Sequence, residues 1–279
     1  MSKVQKPYKR QFYNRNAQKR PTIDINLKGF LCSCNNREKD CVRESYNLLN
    51  KYADVLWPQV STEVSEEKTE VEDDLQKELQ ELHKEKKETR RFQVVDSGAK
   101  NFLFIKTTLE DPVKLAESIV KEISEKKSQE TKFLLRLIPI ETTCKAYLKD
   151  IEKAFELLCK KHFSSQSKTY SIVFNHRNNN SVSRDEVIKS IADMVDKQGK
   201  LHNLEHKVDL KNAEISIIIE VVRGFVFIGV VPNFIKYKKY NLLAFVSDTE
   251  STNAVDANVN DIVDKDDIIE TSEENKEVK

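Results

Sequence analysis

Glycine is scarce in this chain: five residues among 279, at positions 29, 98, 199, 224 and 229. Rossmann and P-loop sites need clustered glycines to bring backbone N–H groups up to phosphates, so neither nucleotide-binding fold is expected. Long apolar runs are missing too. None approaches the ~18 residues of a membrane span, and the basic N-terminus is not followed by a hydrophobic stretch. The expectation is an intracellular protein with no membrane partner. Hydrophobic residues make up only 38% of the chain against 33% charged, so part of it should lie outside any core. The length still allows one large domain or two small ones.

The net charge of +1 conceals a strong segregation. Residues 1 to 20 hold seven Lys/Arg and no acid, residues 61 to 91 hold eleven acids against seven bases, and residues 248 to 279 hold eleven acids against three bases. The stretch from Phe92 to Ser247 has 25 bases and 19 acids, a surplus of six. A basic folded region with a basic arm favours an anionic partner. The alternative is an arm that confers only solubility or nuclear import.

Hydrophobic periodicity divides the central chain into two units. Gly29 to Ser33 reads as a strand entering a helix that starts near Asn35, with Glu38 completing a capping box and Val42, Tyr46, Leu49 and Ala53 as its buried stripe. Residues 59–91 read as a charged insertion. Phe92–Val95 and Phe102–Ile105 form a predicted hairpin turning at Asp96-Ser97-Gly98. Asp111-Pro112 opens a helix with Leu115, Ile119 and Ile123 on one face, and Phe133–Leu137 is a strand. The order β-α-β-β-α-β is that of a ferredoxin-like split unit. After Pro139, a helix carries Tyr147, Leu148, Ile151, Phe155 and Leu158 on one face, then a strand at Tyr170–Phe174 meets the polar loop Asn175–Asn180. Ser183 and Glu186 cap a second helix, and Ile215–Val222 and Phe225–Val231 pair through Arg223-Gly224. The fold class is α+β.

Taken together, several pieces resemble the THUMP family of tRNA-binding modules, and within it the stand-alone adaptors that support tRNA cytidine acetylation. They are Gly29-Phe30-Leu31 with Cys34-Asn35 and Cys41-Val42, the Leu135–Ile140 strand with Thr143–Ala146, Arg177-Asn178-Asn179, Arg184–Ile188, Lys207–Leu210 and Lys239–Leu242. The resemblance implies a ferredoxin-like N-terminal domain over 27–138 and an α/β THUMP domain over 139–247, whose family-defined span begins near 108. A basic arm over 1–26 and an acidic tail over 248–279 are expected to be disordered. It further implies binding of the acceptor stem and 3′ end of tRNA, and delivery of serine and leucine tRNAs to an RNA cytidine acetyltransferase that makes N4-acetylcytidine in the D-arm. Nucleus or nucleolus is then expected in preference to cytoplasm.

No residue pattern singles out catalysis or a metal. Cys32, Cys34 and Cys41 lack a second Cys/His pair at zinc spacing, and His202-x3-His206 lacks the glutamate of a zinc hydrolase. Cys144 and Cys159 have no evident His partner. The expectation is no catalytic residue, no metal, no cofactor and no small-molecule substrate. For RNA contact the candidates are Arg136, Lys168, Arg177, Asn178, Asn179, Arg184, Lys236, Lys238, Lys239 and Tyr240. Arg177 to Asn179 follow a strand end, and Arg184 sits at a helix start whose dipole favours phosphate. Lys236, Lys238 and Lys239 interleave with Tyr237 and Tyr240, whose rings could stack on bases. Tyr240 is alternatively a packing residue, and Arg136 either reaches the opposite sheet face or forms a structural ion pair. The rivals to a non-catalytic tRNA adaptor are a small RNA-modifying enzyme and a scaffold bridging ribonucleoprotein complexes.

Overall fold

The computed structural model describes residues 22–58 and 90–245; the arm through residue 21, the insertion at 59–89 and the tail from 246 lie outside the described residues. The first unit is built from β1 (Gly29–Cys34), α1 (Glu38–Leu56), β2 (Phe92–Ala99), β3 (Phe102–Thr107), α2 (Pro112–Lys126) and β4 (Leu134–Ile140). Its sheet has the order β2-β3-β1-β4 with every neighbouring pair antiparallel. Pro112 at the first turn of α2 and the Asp111 carboxylate accepting the Lys114 N–H at 3.0 Å start that helix as its sequence dictates.

The second unit contributes β5 (Thr142–Lys145), α3 (Leu148–Phe163), β6 (Thr169–Arg177), α4 (Arg184–His202), β7 (Lys207–Val208), β8 (Ile215–Val222) and β9 (Phe225–Pro232). Its order is β5-β9-β8-β6-β7, with β6 parallel to β7 and β8 and the remaining pairs antiparallel. All eight residues of β8 are buried, because this strand is covered on both faces. Ile217, Ile219 and Val221 face α3 and α4, packing with Ile151, Phe155, Val187 and Ile191. Ile218 and Val222 face the other way, into the core of the first unit.

That core is shared. Phe104 of β3 and Phe227 of β9 meet at 5.0 Å between ring centroids, and Val231 and Phe234 join the same cluster. Gly229 permits the close approach: a Cβ there would stand 2.3 Å from the Pro139 carbonyl oxygen. The chain passes between the sheets without a loop, since β4 ends at Ile140, Glu141 N–H donates to Ile228 O at 2.9 Å, and β5 begins at Thr142. The segment before β1 clips onto the outer edge of β5, with Asn26 N–H donating to Thr143 O at 2.7 Å and Leu27 N–H to Thr143 Oγ1 at 2.9 Å. After β9, a short 3-10 turn (Lys238–Tyr240) brings Leu242 N–H to Leu135 O at 2.8 Å, pinning the end of the second unit on β4.

Three local expectations are corrected. α1 starts at Glu38 with Arg37 at its cap and no side-chain capping bond; Glu38 Oε1 instead accepts the Asn101 N–H at 2.9 Å, tying the helix to the hairpin. Residues 96–98 are not the hairpin turn but a bulge inside β2, where Gly98 takes a φ of +72° and the chain turns at Lys100-Asn101, Asn101 at +62°. Tyr147 stands 65% exposed at the cap of α3 instead of on its buried face. β5 and β7 carry no apolar run long enough to announce a strand.

Because the two units share one core, Phe227→Ala should cost about 3–5 kcal/mol. The lone Trp57 lies in the first unit. In a urea titration its fluorescence and the far-ultraviolet circular dichroism should therefore shift to a lower midpoint together, in a single transition. Two separate transitions would show that the units unfold independently.

Candidate nucleic-acid interface

The strand registers bring several of the proposed contact residues to one end of the seam between the sheets. Arg136 of β4 pairs with Ser33 of β1, Ser33 with Phe102 of β3, and Phe102 with Ala99 of β2, so these four form one row across the first sheet. Directly paired residues point to the same face, and that row therefore shares the seam face with Leu31 and Phe104. From the second unit, the exposed Arg177 at the end of β6 lays its guanidinium over the Phe102 ring, 4.8 Å from the centroid. Exposed Arg223, in the β8–β9 turn with a φ of 53°, rests against Gly98: a Cβ on that glycine would meet its guanidinium carbon at 3.0 Å. Exposed Lys100 occupies the adjacent β2–β3 turn.

At the other end of the row, Arg136 forms an isolated bridge with Asn241, two residues beyond the exposed Lys239. The cations Lys100, Arg223, Arg177 and Arg136 thus line a band drawn from both units, spanning four strands and roughly 15 Å at the usual strand spacing, and Lys239 lies in the segment pinned beside its Arg136 end. None of the five takes part in an ion pair among the described residues. Arg223 was not singled out from the sequence as a contact residue. Its signal was present, a cation at the tip of a predicted hairpin, but only the fold shows that the tip abuts the first unit.

Other candidates have more local roles. Asn178 is exposed in the left-handed region at φ 53°. Asn179 holds the loop together, accepting the Ser181 N–H at 2.9 Å while its amide donates to Arg223 O. Arg184 is half-buried at the first turn of α4, where Ser183 Oγ accepts the Glu186 N–H. The Lys168 ammonium donates to His162 O at 3.0 Å, capping the C-terminal end of α3. Lys238 donates to Ala244 O at 2.8 Å, whereas Lys236 is exposed, 5.9 Å from the Tyr237 ring centroid.

Tyr240 is not presented for stacking on a nucleotide. It is fully buried, its hydroxyl donates to Pro232 O at 3.0 Å, and its ring packs on Phe234 and Tyr237. Burial pushes its phenol well above the usual range. Apolar neighbours Phe234, Leu242 and Phe245, drawn from both sides of the turn, claim the ring for the core. Tyr237 is buried beside it, at 9% exposure.

The cysteines sit in packed interiors. Ser45 Oγ lies 3.8 Å from Cys32 Sγ and 4.0 Å from Cys41 Sγ, and burial pushes the Cys32 and Cys144 thiols up to about 12. Such thiols are poor nucleophiles. His206 packs edge-on against Phe163, and its Nε2 lies 3.1 Å from Phe163 O.

One buried carboxylate stands beside the seam. Glu141, 6% exposed, receives Lys161 Nζ at 2.7 Å, His162 Nε2 at 3.0 Å and the Val230 N–H at 3.1 Å. Burial alone would raise its carboxyl, but the His162 and Lys161 contacts more than offset this, holding it below the usual range.

The THUMP domain family matches residues 145–231, from the last residue of β5 to the penultimate residue of β9. A Drosophila melanogaster protein named THUMP domain-containing protein 1 homolog is 36% identical over 289 residues, covering 92% of this chain and 87% of that one. The Homo sapiens THUMP domain-containing protein 1 is 36% identical over 230 residues, 79% of this chain and 64% of that one. A Saccharomyces cerevisiae protein named tRNA acetyltransferase TAN1 is 27% identical over 247 residues, 79% of this chain and 85% of that one.

Glu141 gives the fold a defined acid sensitivity. A carboxyl held below its ordinary value of 4.5 contributes stability above that pH and loses it as pH falls through the lowered value. Glu141→Gln should therefore lower stability at pH 7 by about 1–3 kcal/mol. Below about pH 4.5 the variant's stability should decline less steeply than that of the parent chain. Parallel acid limbs in urea titrations from pH 3 to 7 would remove Glu141 as their source.

Proposed function

This chain belongs to the THUMP domain-containing family, and from that premise we propose that it is a non-catalytic tRNA-binding adaptor serving an RNA cytidine acetyltransferase. The observation that carries the reading is the basic band, to which both units contribute cations on a shared, fixed seam. A-form RNA hides its base edges in a deep groove and is recognised mainly by shape and backbone. A rigid row of cations spanning two units suits that task. The strand order β2-β3-β1-β4 supports reading the first unit as ferredoxin-like.

The finer assignment is that the adaptor holds the acceptor stem and 3′ end while the partner forms N4-acetylcytidine in the D-arm of serine and leucine tRNAs, in the nucleus or nucleolus. Support for acetylation is the name of the yeast relative, which attributes it to that protein. The same name favours a second reading, in which this chain itself transfers the acetyl group. Against it, the described elements are all engaged in two core-sharing sheets and their helices, and the five scattered glycines build no loop to cradle ATP or the CoA pyrophosphate. An adaptor still accelerates the reaction, because holding RNA beside a catalyst raises its local concentration to as much as the millimolar range.

Arg136→Ala, Arg177→Ala and Arg223→Ala should each weaken tRNA binding and reduce the slope of log affinity against log salt by roughly 0.7 to 0.9. Arg177→Ala should also lose about 0.5–1 kcal/mol of stability from its contact with Phe102, a loss that Arg177→Lys restores in part. Unchanged slopes in all three would move the RNA surface elsewhere.

In a reconstitution of tRNA, acetyltransferase and this chain with ATP and acetyl-CoA, acetylated cytidine should require all three macromolecules. Product from this chain and tRNA alone would establish the enzyme reading. An acetyltransferase equally active without the chain would remove the adaptor role.

A further inference from the structure

The strongest concentration of charge that the proposed function leaves unused is in the C-terminal segment. Residues 248–279 hold eleven acidic residues against three basic ones. The described body ends at Phe245, and the place where it ends matters. Asn241 bridges Arg136, Leu242 is held on Leu135, and Lys238 Nζ lies 5.7 Å from the Phe245 ring centroid. The chain therefore leaves the body at the Arg136–Lys239 end of the basic band.

We propose that the acidic segment 248–279 competes with RNA for the basic band as an intramolecular polyanion. This rests on the reading of the band as the RNA surface. Three observations carry it. The band's cations have no ion-pair partner among the described residues, so their charge is open to an anion. The excess of eight negative charges matches a surplus of six positive ones between Phe92 and Ser247. Thirty-four residues follow Phe245; at no more than ~3.4 Å each they reach at most about 115 Å, ample for a band of roughly 15 Å that begins at the exit point.

The competition is weak per contact and strong by tethering. Each exposed carboxylate–cation pair is worth little, on the order of 0–1 kcal/mol. The tether, however, presents the segment at local concentrations on the order of millimolar. RNA with many phosphates displaces it, while a short or poorly shaped polyanion does not. The segment thereby raises the threshold for binding without touching the band's geometry.

The test compares the full chain with a full chain in which the eleven Asp and Glu of residues 248–279 are replaced by Asn and Gln. Labelled tRNA and heparin serve as polyanion probes. At about 50 mM salt the neutralised chain should bind both about three- to tenfold more tightly. The gap should close toward about 1 M salt, where screening acts within roughly 3 Å. A synthetic peptide of residues 248–279 should bind the neutralised chain, and Arg136→Glu with Lys239→Glu should abolish that binding. Unchanged or weakened heparin affinity after neutralisation overturns the proposal. So does a gain that vanishes when residues 1–20 are deleted, since the segment would then be held by the basic arm. If heparin and peptide behave as expected while tRNA binds neither chain, occupancy of the band stands and the RNA reading fails.

Discussion

The structure depends on the junction between β4 and β5, where one residue separates a strand of the first sheet from a strand of the second. β4 completes the sheet of the first unit, and the same run of backbone continues through Glu141 into β5 of the second. A loop at that point would have let the units move against each other. A single junction residue leaves them little such freedom, and the seam fills with side chains from both, Phe104 against Phe227 with Gly229 pressed onto the Pro139 carbonyl. The crossing has a chemical cost, since the junction residue is a buried glutamate. Lys161, His162 and the Val230 N–H together satisfy its oxygens. Replacing any one of them leaves a buried charge under-compensated, which is far more damaging than losing an exposed ion pair.

The rigid seam gives the arginines at its end two uses. Arg177 and Arg223 reach from the second unit onto Phe102 and Gly98 of the first, so their stems and guanidinium faces are spent on packing while their edges remain exposed. A guanidinium over an aromatic ring keeps its N–H groups directed outward in the ring plane, where they can meet phosphate oxygens. Lysine at the same positions would keep the charge but not the planar fork. Donors fixed in advance also lower the ordering cost that association with any anionic ligand carries.

Much of this was legible in the residues. Long amphipathic runs placed α1, α2, α3 and α4, and the apolar runs of β8 and β9 with Arg223-Gly224 between them declared a hairpin. Asp111-Pro112 and Ser183 declared two helix starts, because capping is local chemistry. What failed was tertiary. Asp96-Ser97-Gly98 has turn composition, yet Ser97 Oγ bonds the Phe102 carbonyl and the segment stays in the strand as a bulge. Short β5 and β7 exist only because neighbours offer them a ladder. Tyr240, set among lysines, has the pattern of a stacking platform, but the side on which its ring lies is decided by Phe234 and Leu242 folding over it.

The same distinction explains why the candidate surface could be named in part and not assembled. Arg136, Arg177 and Lys239 are 41 and 62 positions apart in sequence, and no periodicity relates them. They become neighbours through strand register: Arg136 opposite Ser33, Ser33 opposite Phe102, and Phe102 beneath Arg177. Register here is set by packing shape, since a slip of one residue in β3 would withdraw Phe104 from its place against Phe227 and put Leu103 or Ile105 there. Burial of Leu31, Phe104 and Ile138 in the seam therefore also determines where Arg136 stands. The hydrophobic core and the charged band are consequences of one alignment, so a change that shifts the seam shifts the cations with it.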